Sequence, residues 1–212
     1  MKTVLIDYGA GNLHSVYKAL AKAGFDVILS QNPDEARDAD VMVLPGQGHF
    51  RQVMEAFLAS GFEPMVRSHI DAQKPFLGIC VGLQLLMLES EEAPGVAGLG
   101  VIDGTVKRFP AAQVSVPQMG WNQLSLKGEP ELLKGVTDGA FVYFANSYYV
   151  DFAEDLPGAT TQYGPTTFKS AVSTGTLNAT QFHPEKSQGV GLRILENFRT
   201  IVEAHLSSGA KG

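Results

Sequence analysis

The first half of the chain alternates short, mainly apolar runs with stretches whose apolar residues recur every three or four positions. TVLID (residues 3–7), FDVIL (25–29), VMVLPG (41–46) and PFLGI (75–79) are the apolar runs. A run with no polar alternation predicts a strand buried on both faces. Between the first two, NLHSVYKALAKAG places Leu13, Val16 and Leu20 on one helical face, with Asn12 as N-cap and Gly24 as the stop. FRQVMEAFLAS (50–60) and EPMVRSHIDAQ (63–73) read as two more helices, and VGLQLLMLES (81–90) as a helix directly after the fourth strand. Strands of this kind separated by helices predict an α/β fold, an open and mainly parallel sheet with helices on both faces.

After about Gly95 the pattern changes. GVIDGTVKRF, WNQLSLKG, AFVYFANSYYV, GATTQYG, FKSAVSTG and LNATQFHP alternate more strictly and are punctuated by Gly, Asp and Pro. They predict antiparallel strands and hairpins extending the parallel core through the C-terminal half. GLRILENFRTIVEAHL closes the chain as a helix with Leu192, Leu195, Phe198 and Val202 at helical spacing. With no repeat or linker in view, residues 1–206 are expected to form a single domain and 207–212 a frayed tail.

Composition narrows the function. The chain has 212 residues and a formal net charge of −6, with no Lys/Arg cluster, which argues against binding nucleic acid through its phosphates. Neither a signal-peptide core nor an apolar run near the roughly 18 residues of a membrane span is present. One cysteine in the whole chain allows no internal disulfide and suits a reducing, cytoplasmic setting.

That cysteine, Cys80, lies in Gly78-Ile79-Cys80-Val81-Gly82, between a predicted buried strand and a predicted helix. G-x-C-x-G at such a junction has the form of a nucleophile elbow. Flanking glycines remove the Cβ atoms that a sharp turn would bring into collision. At a helix N-terminus the dipole favours thiolate, and the Val81 N–H points the same way and can receive an oxyanion. Taken alone, the pattern fits a buried structural thiol as well as a nucleophile.

A cysteine nucleophile needs an imidazole to carry its proton. Of five histidines, His183 stands out in TQFHPEKSQ, two residues before Glu185. On an extended chain these two side chains share a face, so the carboxylate can hold the imidazole tautomer. A second source of oxyanion donors is the turn Gly46-Gln47-Gly48, whose glycines allow backbone N–H groups to face a ligand. Gln84, one turn past Cys80 on a helix otherwise rich in Leu, is an odd core residue and well placed for substrate. GAGNLHS (9–15) is a poor dinucleotide loop, because His14 occupies the third glycine position. No metal-ligand spacing appears, and neither a metal nor a cofactor is expected.

Together the segments IDYGAGNLHSV, LPGQGHF, GICVGLQLL, VPQMGWN, YFANSYY, TQFHPEKSQ and GLRILENF resemble the class I (triad) glutamine amidotransferases over nearly the whole chain, and within them the glutaminase subunits of histidine biosynthesis. The resemblance implies a flavodoxin-like sheet, L-glutamine as substrate, and Cys80, His183 and Glu185 as the triad. It also implies an oxyanion site at Val81 and Gly46–Gly48, and substrate contacts from Gln84, Ser147 and Tyr148. The implied partner is a (β/α)8-barrel cyclase subunit, bound as a heterodimer and receiving ammonia through its barrel. Gly11, Asn12, Trp121, Asn122 and Lys186 would face it, although the default for a lone Trp is the core. A glutaminase serving another synthase (pyridoxal phosphate or anthranilate), and a non-catalytic binding module, stand as alternatives.

Two residues depart from that family's wording. Its turn usually reads P-G-V-G, and here the third residue is Gln47; Asn146 stands where a His more often precedes the Ser. An unbranched Gln is less stiff than Val, so the turn should reorient more readily. Gln47→Val is therefore expected to lower partner-free glutamine hydrolysis and leave the stimulated rate intact; an unchanged partner-free rate would remove this role.

Overall fold

The computed structural model describes residues 1–9 and 11–209. Ala10, within the expected partner-facing loop, and residues 210–212 of the expected tail lie outside the described residues. The first half runs β1 (Thr3–Ile6), α1 (Leu13–Lys22), β2 (Val27–Ser30), α2 (Pro33–Ala36), β3 (Val41–Gly46), α3 (Phe50–Ala59), α4 (Glu63–Asp71), β4 (Phe76–Cys80) and α5 (Val81–Gln84). The second half continues with β5 (Glu89–Ser90), β6 (Gly104–Arg108), β7 (Gln118–Gln123), β8 (Ser125–Lys127) and β9 (Phe141–Asn146). It ends with β10 (Tyr148–Phe152), β11 (Gly158–Tyr163), β12 (Thr166–Thr174), β13 (Leu177–Thr180) and α6 (Gln188–Gly209).

One large mixed sheet has the order β2-β1-β3-β4-β13-β12-β10-β6-β5, with β11 pairing β12 and β8; β7 and β9 form a separate two-stranded ribbon. β1, β3 and β4 are buried at every position, as apolar runs at the centre of a parallel sheet must be. β2 is different: it is the edge strand, and Ile28 and Leu29 are exposed. Its apolar run is thus not a sign of burial on both faces.

Two further differences from the sequence pattern shape the site. β13 is not part of an antiparallel extension. It pairs parallel with β4, Leu177 opposite Phe76 through Thr180 opposite Ile79, and is antiparallel only to β12. The helix expected over 81–90 closes after one turn. Leu85, Leu86 and Met87 are fully buried, so this stretch has no solvent face. Their carbonyls accept from the N–H groups of Leu99 (2.7 Å), Ile102 (3.0 Å) and Gly100 (3.0 Å), which replace the helical donors.

At the C-terminus, α6 continues through Ser207 and Ser208, residues expected in the tail. α1 ends as expected at a left-handed Gly24 (φ +90°), but Asn12 makes no side-chain cap bond at its start. Among the described residues no helix is long and apolar enough to cross a membrane.

α4 also buries a titratable group. His69, in a helix that reads as polar, is buried with Nε2 2.9 Å from the Pro75 carbonyl. Burial lowers its pKa to about 4; the Pro75 hydrogen bond opposes this and the Lys74 charge adds to it. The unfolded chain binds this proton near 6.5, so the neutral ring stabilises the fold fully above that pH. The contribution, up to about 3 kcal/mol, is lost as pH falls toward 4. His69→Gln is expected to flatten stability between pH 6.5 and 4, measured by denaturant unfolding at each pH.

Candidate active site

β4 ends at Cys80 in a strained left-handed conformation (φ 55°, ψ −110°), at the junction with α5. Two glycines permit the bend. A Cβ on Gly82 would lie 2.0 Å from the Leu44 carbonyl oxygen, because α5 rests directly on the backbone of β3. A Cβ on Gly46 would lie 2.7 Å from Val81 Cβ, so the end of β3 is equally tight against the elbow. In register, Gly46 is opposite Cys80. Val81 begins the single turn, and an N–H at that position has no intrahelical acceptor.

The chain leaving β13 passes beside this elbow. His183 Nδ1–H donates to Glu185 Oε1 at 2.8 Å, and the Glu185 side chain is only 1% exposed. The pairing does not arise from strand alternation, as the sequence pattern suggests. His183 is extended, but Pro184–Lys186 forms a 3₁₀ turn closed by Lys186 N–H to His183 O at 3.0 Å. Pro184 starts that turn with a preset φ, and the turn brings the carboxylate back under the ring.

The backbone of His183 is itself held. Its N–H donates to Tyr143 O at 2.9 Å, while Ser187 Oγ donates to His183 O at 2.7 Å and accepts from Tyr143 N–H at 2.9 Å. Burial opposes a charge on the ring. The hydrogen bond and charge of Cys80, then those of Glu185, outweigh it and raise the imidazole pKa to about 10. The raised pKa keeps a proton on the ring between the Cys80 sulfur and the Glu185 carboxylate.

A cavity of about 220 Å³ opens on Cys80 and is lined by Gln47, Gly48, Val81, Gln84, Ser147 and Tyr148, along with Glu92, Pro117, Ala145 and Asn146. Gly46, expected at the oxyanion site, is not among the lining residues. A larger cleft of about 510 Å³ between α1 and α6 reaches Glu185 from the other side but includes neither Cys80 nor His183. The smaller cavity is therefore the candidate site.

Gln84 donates both amide hydrogens within the protein, to Tyr148 O at 3.2 Å and to Gln181 Oε1 at 3.1 Å. Only its Oε1 can meet a ligand. Gln181 Nε2 in turn reaches Cys80 Sγ at 3.7 Å. Asn146 Nδ2 also donates to Tyr148 O, at 2.9 Å, leaving its Oδ1 buried without a partner. Glu92 supplies the one carboxylate of the cavity wall. Its Oε2 accepts from Phe50 N–H at 2.8 Å, at the N-terminus of α3, where the helix favours a negative charge. Such a carboxylate suits the ammonium of an amino acid.

Sequence reading missed Gln181, Glu92 and Ser187. Gln181 stands among other polar residues in LNATQFH, and no local pattern marks it. Glu92 is indistinguishable from its neighbour Glu91, and nothing in the sequence marks Ser187.

The residues expected to face a partner lie on the β7–β9 ribbon, on the turn after His183 and at the start of α1. Trp121 is 46% exposed and stands edge-on to Tyr143, with ring centroids 6.0 Å apart, and Lys186 Nζ lies 5.7 Å over the Tyr143 ring. Met119 (68% exposed) and Phe141 (52%) add to the exposed apolar surface of the same ribbon. Asn122 is half-buried, its Nδ2 donating to Gln162 O at 2.9 Å near the surface. Gly11 borders the Gly46–Gln47 turn: a Cβ there would lie 3.9 Å from Gln47 N. Asn12 is half-buried at the start of α1.

Residues 4–201 match the model of the family "Glutamine amidotransferase class-I". The chain belongs to that family. Within it, the chain is 52% identical over 202 residues to the imidazole glycerol phosphate synthase subunit HisH of Deinococcus radiodurans, covering 93% of each chain. It is 50% identical to the HisH subunit of Thermus thermophilus over 203 residues, 96% of this chain and 99% of that one. A crystal structure of a glutamine amidotransferase superposes with a TM-score of 0.72 at 18% identity, over 94% of this chain and 98% of that one, and shares the fold.

Gly82→Ala is expected to destabilise the fold by about 1–3 kcal/mol, because the new methyl meets backbone and not a flexible side chain. Glutamine hydrolysis should fall with it as Cys80 is displaced. Thermal unfolding and an ammonia-release assay check both.

Proposed function

We infer that the chain is the glutaminase subunit of an imidazole glycerol phosphate synthase in histidine biosynthesis, with residues 1–206 as one amidotransferase domain. The observation that carries the chemistry is the buried His183–Glu185 pair beside Cys80, which opens on a cavity lined by the Glu92 carboxylate. In this reading the Cys80 sulfur adds to the side-chain amide carbon of L-glutamine. The carbonyl electron pair moves to oxygen, which accepts hydrogen bonds from the N–H of Val81 and of the Gly46–Gly48 turn. As that pair returns, the C–N bond breaks and His183 gives its proton to the departing nitrogen, releasing ammonia and leaving a γ-glutamyl thioester.

Water then attacks the thioester, losing its proton to His183; the C–S bond breaks and glutamate leaves. Glu185 holds the imidazole with Nδ1–H toward itself through both steps. Glu92 takes the substrate ammonium, and Gln84 Oε1 and the Ser147–Tyr148 segment complete the seat. The ammonia is consumed by a cyclase subunit, which we take to be a (β/α)8 barrel docked on the ribbon that exposes Trp121 and on Lys186. The pair would work in the cytoplasm, where a lone thiol stays reduced.

Cys80→Ala should reduce glutamine-dependent synthesis by the complex by at least about a thousandfold while ammonium salts still support it. Retained glutamine hydrolysis in that variant would overturn the assignment.

A further inference from the structure

One buried hydroxyl beside the nucleophile has no part in the reaction so far described. Tyr8 follows β1, and its hydroxyl donates to the Pro45 carbonyl at 2.6 Å. The ring stands edge-on to Phe57 of α3, with centroids 5.8 Å apart and planes at 86°, so the phenol has little freedom. Burial, and then the neighbouring Cys80, push its pKa upward, and the hydroxyl stays a donor throughout any working pH.

The carbonyl it holds belongs to the peptide joining Pro45 to Gly46, at the entry to the turn. That peptide is fixed on both sides. Tyr8 pins its oxygen, and Gly46 lies opposite Cys80 with no room for even a methyl against Val81. Pro45 adds its own fixed φ. The N–H groups of Gln47 and Gly48 follow in the chain, so this plane fixes where the turn begins. Turning the plane would strand a buried carbonyl without a donor.

We propose that Tyr8 is a positioning residue for the glutaminase reaction: its hydroxyl sets the plane of the Pro45–Gly46 peptide and so the aim of the turn at the developing oxyanion. The proposal rests on the glutaminase reading of Cys80 and the turn. It predicts a defect in kcat, because the oxyanion exists only after attack, and not in substrate binding.

The test is Tyr8→Phe in the complex with the synthase partner, which keeps the ring and removes one oxygen. The kcat for glutamine hydrolysis should fall about tenfold with KM changed less than about twofold, the scale of a slightly misplaced reacting group. Alkylation of Cys80 by iodoacetamide, which forms no oxyanion, should proceed at the wild-type rate and so reports an intact elbow even if the melting temperature drops. An unchanged kcat, or an alkylation rate that falls in step with kcat, would overturn the role. Failure of the wild-type complex to hydrolyse glutamine would instead overturn the glutaminase reading itself.

Discussion

Thr180 sits opposite Ile79 at the centre of the sheet, so the segments leaving β13 and β4 emerge side by side at the same edge. Everything chemical depends on that pairing. Cys80 is the last residue of β4, while Gln181 and His183 follow β13 within three residues. In a parallel sheet both strand ends point one way, and ligands gather at that end. Had β13 paired only as a hairpin with β12, the imidazole and the thiol would have had no common wall.

Around this pairing the site is held by backbone more than by side-chain packing. The 3₁₀ turn after His183 places Glu185, and Ser187 ties the His183 carbonyl to the N–H of Tyr143. On the other side α5 lies against the carbonyl of Leu44, and the end of β3 lies against Val81. The Ser187 and Glu185 contacts tie polar groups in a buried interior, where displacement leaves a donor or acceptor unmet, and the two glycine contacts leave no room for a side chain. A catalytic group held in this manner needs little reorganisation when charge develops.

Much of this was legible in the chain before folding. The buried strands at 3–7, 41–46 and 75–79 announced a parallel core, and the two glycines around Cys80 announced a bend. The pairing of His183 with Glu185 is legible in their spacing but arises differently: His183 is extended as expected, while Pro184 opens a tight turn that carries Glu185 instead of continuing the strand. The apolar run at 25–29 lies at the sheet edge because strand order is a property of topology, which local pattern does not encode. The run at 81–90 looks helical only while its carbonyls are counted as free; in the fold they belong to residues 99–102. Glu92 shows the remaining gap, since a carboxylate in an acidic pair gives no hint that one faces a cavity and its neighbour does not.

The tight seats of Gly46 and Gly82 bear on how such sequences drift. Both glycines are required by the approach of one backbone to another, whether or not a thiol stands between them. A descendant that abandoned the reaction could lose the thiol or the imidazole, yet would still need both glycines to seat α5 against the end of β3. The glycines therefore answer to packing, and the cysteine with its imidazole answers to chemistry.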